Sequence, residues 1–455
     1  MTQPDPSVRP SGMRSFMVMW VGQFVSLIGS AMTGFAIPIY IFGQTERVRE
    51  LALLGLAFML PLILVSPTAG ALVDRSNRKF MMMISDLAAG MTTVAVLILV
   101  SLGRLEIWHL YITNAINGTF QAFQWPAYSA AISMMVPKEQ YGRASGLMGL
   151  AENGSGIFAP LLAGALLAVI KLQGILLIDI LTFIFAVGTL LFIHVPQPPR
   201  TVEGQEGQGS LLRESAYGFQ YILKRPSLLG LQLIFLFGNF VASLAFTTLA
   251  AMILYRTNQD ARIYGLVSSA GAAGGVVGGL IMSAWGGPKR RVHGVLFGWF
   301  LSGLVGMTLL GLGQAWPVWA VALFLGALLI PIINGSNQAI WQSKVAPDVQ
   351  GRVFSVRRLI AWATNPLAQL AAIPLADAIL EPAMREGGSL ANTFGWLVGT
   401  GPGAGTALIF VFGGLIAAAI GLSGYLVPAI RNAESILPDH DQLERVAPAA
   451  VAAAE

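Results

Sequence analysis

Gly70-Ala71-Leu72-Val73-Asp74-Arg75-Ser76-Asn77-Arg78-Lys79 closes one long apolar run and opens the next. The runs on either side, 51–73 and 80–102, each supply the roughly 20 residues a helix needs to cross a hydrocarbon core about 30 Å thick. A short charged stretch between two such runs reads as a tight loop at a membrane surface. Similar runs lie at 16–42, 107–136, 145–170 and 174–195, and again, after a polar interruption, at 228–255, 263–285, 292–312, 317–341, 353–380 and 406–428. The chain is 55% hydrophobic and 11% charged, where soluble domains carry about 25% charged residues. The expectation is an all-α membrane protein of twelve transmembrane helices.

The net charge of +5 raises the question of a nucleic-acid partner, and its distribution answers it. With the N-terminus placed in the cytoplasm, 20 of the 27 Lys and Arg fall on the inside and seven on the outside. That bias is the positive-inside rule. It predicts a multi-pass protein of the cell (inner) membrane with both termini cytoplasmic and no nucleic-acid partner. The first apolar run follows Arg9 and Arg14, but it is too long for a signal peptide and lacks a small-residue cleavage site, so it reads as a retained span. There is no cysteine, and His109, His194, His293 and His440 fall at span ends or in the tail. A metal site, a cofactor and an intramembrane enzyme are therefore not expected. No Gly-x4-Gly-Lys-Ser/Thr loop is present to drive transport by nucleotide hydrolysis.

The chain divides into two related halves. Residues 1–195 form a first six-helix bundle, 196–227 a cytoplasmic linker with a short interfacial helix at 211–223, 228–430 a second bundle, and 431–455 a tail without fixed structure. Val136-Pro137-Lys138-Glu139-Gln140-Tyr141-Gly142-Arg143 has a partner in Ala346-Pro347-Asp348-Val349-Gln350-Gly351-Arg352, with the prolines 210 residues apart and the glycines 209. Gly70 and Gly279 repeat the spacing of 209. Agreement at two separate places marks an internal duplication.

The loop at 70–79 resembles the Gly-x-x-x-Asp-Arg-x-x-Arg-Arg/Lys signature of the major facilitator superfamily, and parallel six-span repeats fit that fold. Gly70 permits close helix contact, and Asp74 can accept charge-assisted hydrogen bonds from arginines or a helix N-terminus. By pseudo-symmetry its partner is the start of span 11, near Arg352, Arg357 and Arg358. Asp74, with Arg75 and Arg78, is therefore expected to latch the cytoplasmic side closed. The second copy, ending in Pro288-Lys289-Arg290-Arg291, lacks the acid, so the latch is expected to be one-sided. In span 5, Gly146, Ser155, Ala159-Pro160 and Ala163-Gly164 resemble the antiporter motif of the superfamily's exporters, with Ser268–Gly279 of span 8 as the facing small-residue surface. Trp125-Pro126-Ala127-Tyr128, Gly142-Arg143-Ala144-Ser145-Gly146-Leu147 and Asp179-Ile180-Leu181-Thr182-Phe183 are similar to the macrolide-efflux and enterobactin-exporter branch of drug exporters. Between 114 and 128 there is no arginine, unlike many proton-coupled drug antiporters, so proton coupling does not carry over from that motif.

The resemblance implies a central cavity lined by spans 1, 4, 7 and 10. Polar residues repeat at helical spacing in those spans, and the substrate-binding candidates are Gln23, Asn117, Gln121, Gln124, Asn239, Asn334, Asn337, Gln338 and Trp341. An amide-rich, uncharged stripe suits small amphiphilic organic molecules. Glu152, seven residues into span 5, is the proton-coupling candidate, whereas Asp86 and Asp179 sit on peripheral spans and read as structural. The resulting expectation is a monomeric secondary transporter exporting drug- or siderophore-like molecules by alternating access, coupled to protons. A facilitator-type importer, or a non-transporting membrane protein on the same fold, is the alternative.

Overall fold

The structure is a computed structural model and describes residues 12–45, 48–198, 210–258 and 260–440. Linker residues 199–209 and the tail beyond 440 lie outside the described residues. Spans 1 to 4 are the helices Gly12–Thr45, Val48–Arg75, Arg78–Ser101 and Ile107–Met135. Spans 5 and 6 are two helices within Tyr141–Phe192, separated at Lys171, whose φ of 58° turns the chain back between the two crossings. Span 7 is Pro226–Thr247 continued by Leu249–Arg256, and span 8 is Ala261–Trp285. Span 9 runs through Arg291–Leu301 and Leu309–Leu312, span 10 is Trp316–Lys344, span 11 starts with Gln350–Ile373, and span 12 is Ala404–Leu426.

Local chemistry explains several of these boundaries. Asn77 ends the 70–79 turn as an N-cap, its side chain accepting from the Phe80 amide at 3.2 Å. Gly286 closes span 8 in the left-handed conformation, φ 85°. Inside span 9 the segment Ser302–Thr308 widens to a π-helix. There a Cβ on Gly303 would meet the Ala418 amide at 2.6 Å, and one on Gly306 would meet the Gly326 Cα at 2.9 Å. The wider turn sits where neighbouring backbones press closest, a common use of π segments.

Eleven helices among the described residues are long and apolar enough to cross a membrane. The remaining span, Ile107–Met135, is 29 residues long, which is about 43 Å of helix at roughly 1.5 Å per residue. It falls outside that set because Asn114, Asn117, Gln121 and Gln124 run along it. Lipid-facing stripes show on its neighbours: Leu56, Leu60 and Leu64 recur every fourth residue of span 2 and are more than half exposed.

Spans 1–6 pack as one bundle and spans 7–12 as the other, and their interiors differ. The second bundle has one continuous apolar core, from Leu231 and Trp299 to Phe410 and Ile430. The first has an apolar cluster at the 70–79 end (Phe16, Met82, Ala131, Leu190) and a separate one at the far end (Met32, Leu54, Leu110, Leu176). Between them, spans 1, 3, 4 and 6 enclose polar residues, beside a small apolar cluster of Leu62, Ala69 and Ala122 on spans 2 and 4. The linker helix Leu211–Leu223 lies where it was expected and packs Tyr221 and Ile222 against Trp341, Val349 and Phe354.

The tail departs from expectation over its first residues. Pro428–Arg431 and Ala433–Ile436 are helical, and Lys344 Nζ donates to the carbonyls of Glu434 at 2.6 Å and Leu437 at 2.5 Å. Asp439 pairs with Lys344 at 2.9 Å and with Lys138 of the first bundle at 3.4 Å. A mostly buried ammonium with three donors to satisfy fixes this part of the chain.

Candidate functional site

At the 70–79 end the two bundles are clamped together. Asp74 Oδ1 accepts from the Gly351 amide at 2.7 Å, and Oδ2 accepts from the Arg352 amide at 2.9 Å and from Arg352 Nε at 3.2 Å. The carboxylate thus caps the N-terminus of span 11 and pairs with its first arginine, both favourable to a buried anion. Gly70 makes this approach possible: a Cβ there would meet Ser355 Oγ at 2.5 Å and would run into the Gly351 carbonyl.

The other basic residues divide the work differently from the expected latch. Arg75 turns to the linker helix and makes a two-pronged bond to Glu214, 2.8 Å on each arm. Lys79 donates to the Leu191 and Ile193 carbonyls at the end of span 6. Arg78 is buried, donating to the Ala130 carbonyl at 2.7 Å and to the Pro347 carbonyl across the interface. Of the three arginines at the start of span 11, only Arg352 reaches Asp74. Arg357 donates to Gln338 at 2.8 Å and lies over Trp341, and Arg358 lies over Trp125.

A second arginine, missed in the sequence, mirrors Arg78. Arg291 donates to the Lys138 carbonyl of the first bundle at 2.8 Å and to Ala339 of its own at 3.2 Å. Ala130 and Ala339 are 209 residues apart, the repeat spacing, so each arginine spans the same gap from its own side. The sequence signal for it is the basic cluster 288–291, whose role does not depend on an acid at the repeat position of Asp74. The carboxylate latch stays one-sided: Ser283, at the repeat position of Asp74, bonds back to the Gly279 carbonyl.

Spans 5 and 8 cross at the same end. A Cβ on Gly146 would meet the Ser283 amide at 2.6 Å, one on Gly279 the Leu150 Cα at 3.1 Å, and one on Gly275 the Asn153 Oδ1 at 2.7 Å. Pro160 lies further along span 5 and is partly exposed.

The expected cavity residues separate into two groups. Gln23, Asn117, Gln121 and Gln124 line a cavity of about 340 Å³ that lies wholly within the first bundle, between spans 1, 2, 3, 4 and 6. Asn337, Gln338 and Trp341 are buried at the clamped end, where Trp341 Nε1 donates to Asn337 at 3.0 Å. Asn334, one turn from Asn337 on span 10, is exposed, and Asn239 of span 7 is partly so. Glu152 is also exposed, and it lies within electrostatic range of Arg358 on the opposite bundle.

Two acids read as structural from the sequence instead face the cavity. Asp86 accepts from Gln23 Nε2 at 2.8 Å and Gln124 Nε2 at 2.9 Å. Asp179 accepts from Ser30 at 3.0 Å, Thr33 at 2.9 Å and Thr93 at 3.0 Å. Their spans are peripheral in the fold, but both side chains point inward. What identified them was chemistry at matching depth: hydroxyls and amides on spans 1, 3 and 4 that serve no other acid.

Two bundles related by an internal repeat, clamped to each other at one end, with a polar cavity among the membrane spans of the first, define a two-bundle membrane transporter. The chain belongs to the Major Facilitator Superfamily, whose sequence model matches residues 19–365. It is 27% identical to macrolide efflux protein A of Streptococcus pyogenes over 366 residues, 80% of this chain and 90% of that one. It is 24% identical to the enterobactin exporter EntS of Shigella flexneri over 224 residues, 48% of this chain and 52% of that one. Among solved structures, a bacterial homologue of the iron transporter ferroportin in an outward-facing state superposes with a TM-score of 0.67 at 14% identity, over 90% of this chain and 99% of that one. That last likeness speaks to the fold alone.

Proposed function

We propose that this chain exports small amphiphilic organic molecules across the cell membrane by alternating access, coupled to protons, with its clamped end and both termini in the cytoplasm. The observation that carries the reading is the Asp74 clamp: a buried carboxylate on one bundle holds the first turn of a helix on the other. A clamp of this kind holds one end closed while the other end is free to exchange substrate. The bundles, taken as 1–195 and 228–430, then rock about a central cleft between them, towards which this reading places the exposed Glu152 and Asn334. Substrate is assigned to that cleft, with Asn334 and Asn239 as polar contacts and Glu152 as the acid whose charge changes with the conformational cycle. The export direction is supported by the span 5 packing and by the names of the efflux relatives.

The test is accumulation of a macrolide, and separately of a catecholate siderophore, in cells lacking their other exporters. Expression of this chain is expected to lower accumulation of at least one probe severalfold, and a protonophore to abolish the difference. Unchanged or raised accumulation of every probe rejects export.

A further inference from the structure

The cavity of the first bundle runs from Ser85, Asp86 and Gln124 near the clamped end to Pro38, Leu54 and Thr113 towards the other. The seven residues of span 3 that line it, from Ser85 to Val96, are spread over roughly 16 Å of helix at about 1.5 Å per residue. Two carboxylates sit at two depths in this space, Asp179 beside Thr93 and Asp86 seven residues lower on span 3, roughly 10 Å along the helix. No lining residue from any of the five spans is Arg, Lys or His, so nothing in the cavity offsets their charge.

The fold does not require an acid here. Arg78 and Arg291 bond the equivalent carbonyls of Ala130 and Ala339 and so set the register between spans 3 and 9. Eight residues on from each arginine stand Asp86 in the first bundle and Trp299 in the second. At the repeat spacing, Gln124 corresponds to Ile333. Trp299 and Ile333 are both buried in the continuous apolar core of the second bundle, and span 12 carries no acid at all. The same architecture therefore packs well with apolar residues at these places, and a buried carboxylate without a cation is costly.

We infer that the first-bundle cavity is the proton pathway of the transporter, with Asp179 and Asp86 as its binding groups, separate from the cleft that passes substrate. This rests on the proton-coupled reading above and assigns it a place. A proton from water at the open end converts the Asp179 carboxylate to a carboxylic acid, and Asp86 takes it up deeper in. About 340 Å³ holds on the order of ten waters at roughly 30 Å³ each, enough to connect the two. Thr92, donating to Asn117 at 2.8 Å, supplies polar groups between them. Once protonated, Asp86 needs an acceptor, and the buried Gln124 Oε1 has no hydrogen-bond partner; a half-turn of that amide presents it. Around Asp86 the donors are the amide nitrogens of Gln23 and Gln124, a surround that suits a proton better than a metal ion. Tyr128 of span 4 lies within electrostatic range of both Asp86 and Glu152, and Glu152 within range of Arg358, so charge in the cavity is felt towards the second bundle.

The test is charge movement in proteoliposomes without substrate, recorded on a solid-supported membrane after a pH jump and, separately, after a sodium jump at fixed pH. Wild type is expected to respond to protons and not to sodium. Asp86→Asn and Asp179→Asn are each expected to lose at least tenfold of the displaced charge, while Glu386→Gln, in an exposed turn of the second bundle, keeps it. Thr93→Val retains both carboxylates and guards against misfolding: it is expected to keep charge movement with a displaced pH midpoint. A wild-type response surviving in both Asp variants overturns the cavity assignment and leaves proton coupling intact. A wild type silent to pH removes proton coupling itself, and a response to sodium alone replaces the proton with a metal cation; either outcome also overturns the inference.

Discussion

Asp74 carries more of the interface than any other single side chain, because all three of its described donors belong to the opposite bundle. Asn at this position keeps the shape but turns one acceptor oxygen into an amide donor facing the Arg352 N–H groups. Breaking one partner of a buried pair costs about 3–5 kcal/mol, and about 1.4 kcal/mol is tenfold in an equilibrium. Asp74→Asn is therefore expected to shift the population from the clamped form by a hundredfold or more. It should reduce export at least tenfold at unchanged membrane abundance, measured by probe efflux and quantitative blotting. Wild-type efflux would remove the clamp from the mechanism. This residue was legible in the sequence because a motif named it and the repeat named its partner. Asp86 was not, since a sequence gives an acid's distance from its span end but not the azimuth of its side chain. Only the convergence of Gln23 and Gln124 on its two oxygens reveals which way it points.

Span 5 against span 8 is the element-scale counterpart of the clamp. The Gly146 backbone lies so close to Ser283 that any larger side chain must part the helices. Gly146→Leu is expected to lower efflux at least tenfold, overpacking of this kind costing about 1–3 kcal/mol, while Ala at the exposed Gly156 leaves efflux within twofold. Equal effects of the two changes on efflux would show that span 5 acts only through its overall packing. Span 10 makes a similar distinction. Asn334→Ala, on the exposed face, is expected to change the ratio of efflux between two probes by threefold or more with little loss of stability. Asn337→Ala removes the acceptor of the buried Trp341 Nε1, and is expected to lower thermal stability by about 1–2 kcal/mol with the ratio unchanged. The sequence showed both residues on one polar stripe, because helical spacing groups residues by face. It did not show that the stripe leaves the cleft and enters the clamp within a single turn. That depends on where the partner helix crosses, which only packing decides.

At the scale of the whole molecule, the clamped end is a set of reciprocal contacts. Arg78 reaches from the first bundle to the second, Arg291 from the second to the first, and Asp439 ties Lys138 to Lys344. The twelve helices and the two halves were legible from hydropathy and repeat spacing, because both are properties of chain order. The reciprocity was not, since it arises when two similar loops dock on each other. If the molecule works by rocking, this end must come apart in every cycle. The chain has no cysteine, so an introduced pair can be labelled alone. Ser133 Oγ donates to Gln350 Oε1 at 2.7 Å across the interface, and neither residue touches Asp74. Ser133→Cys with Gln350→Cys, bridged by a short reducible cross-linker, is expected to stop efflux by at least tenfold and to regain it on reduction. Each single cysteine with the same reagent should retain most activity. Cross-linked protein that still exports would mean that substrate passes without separation of the clamped end, and the rocking mechanism would fall with it.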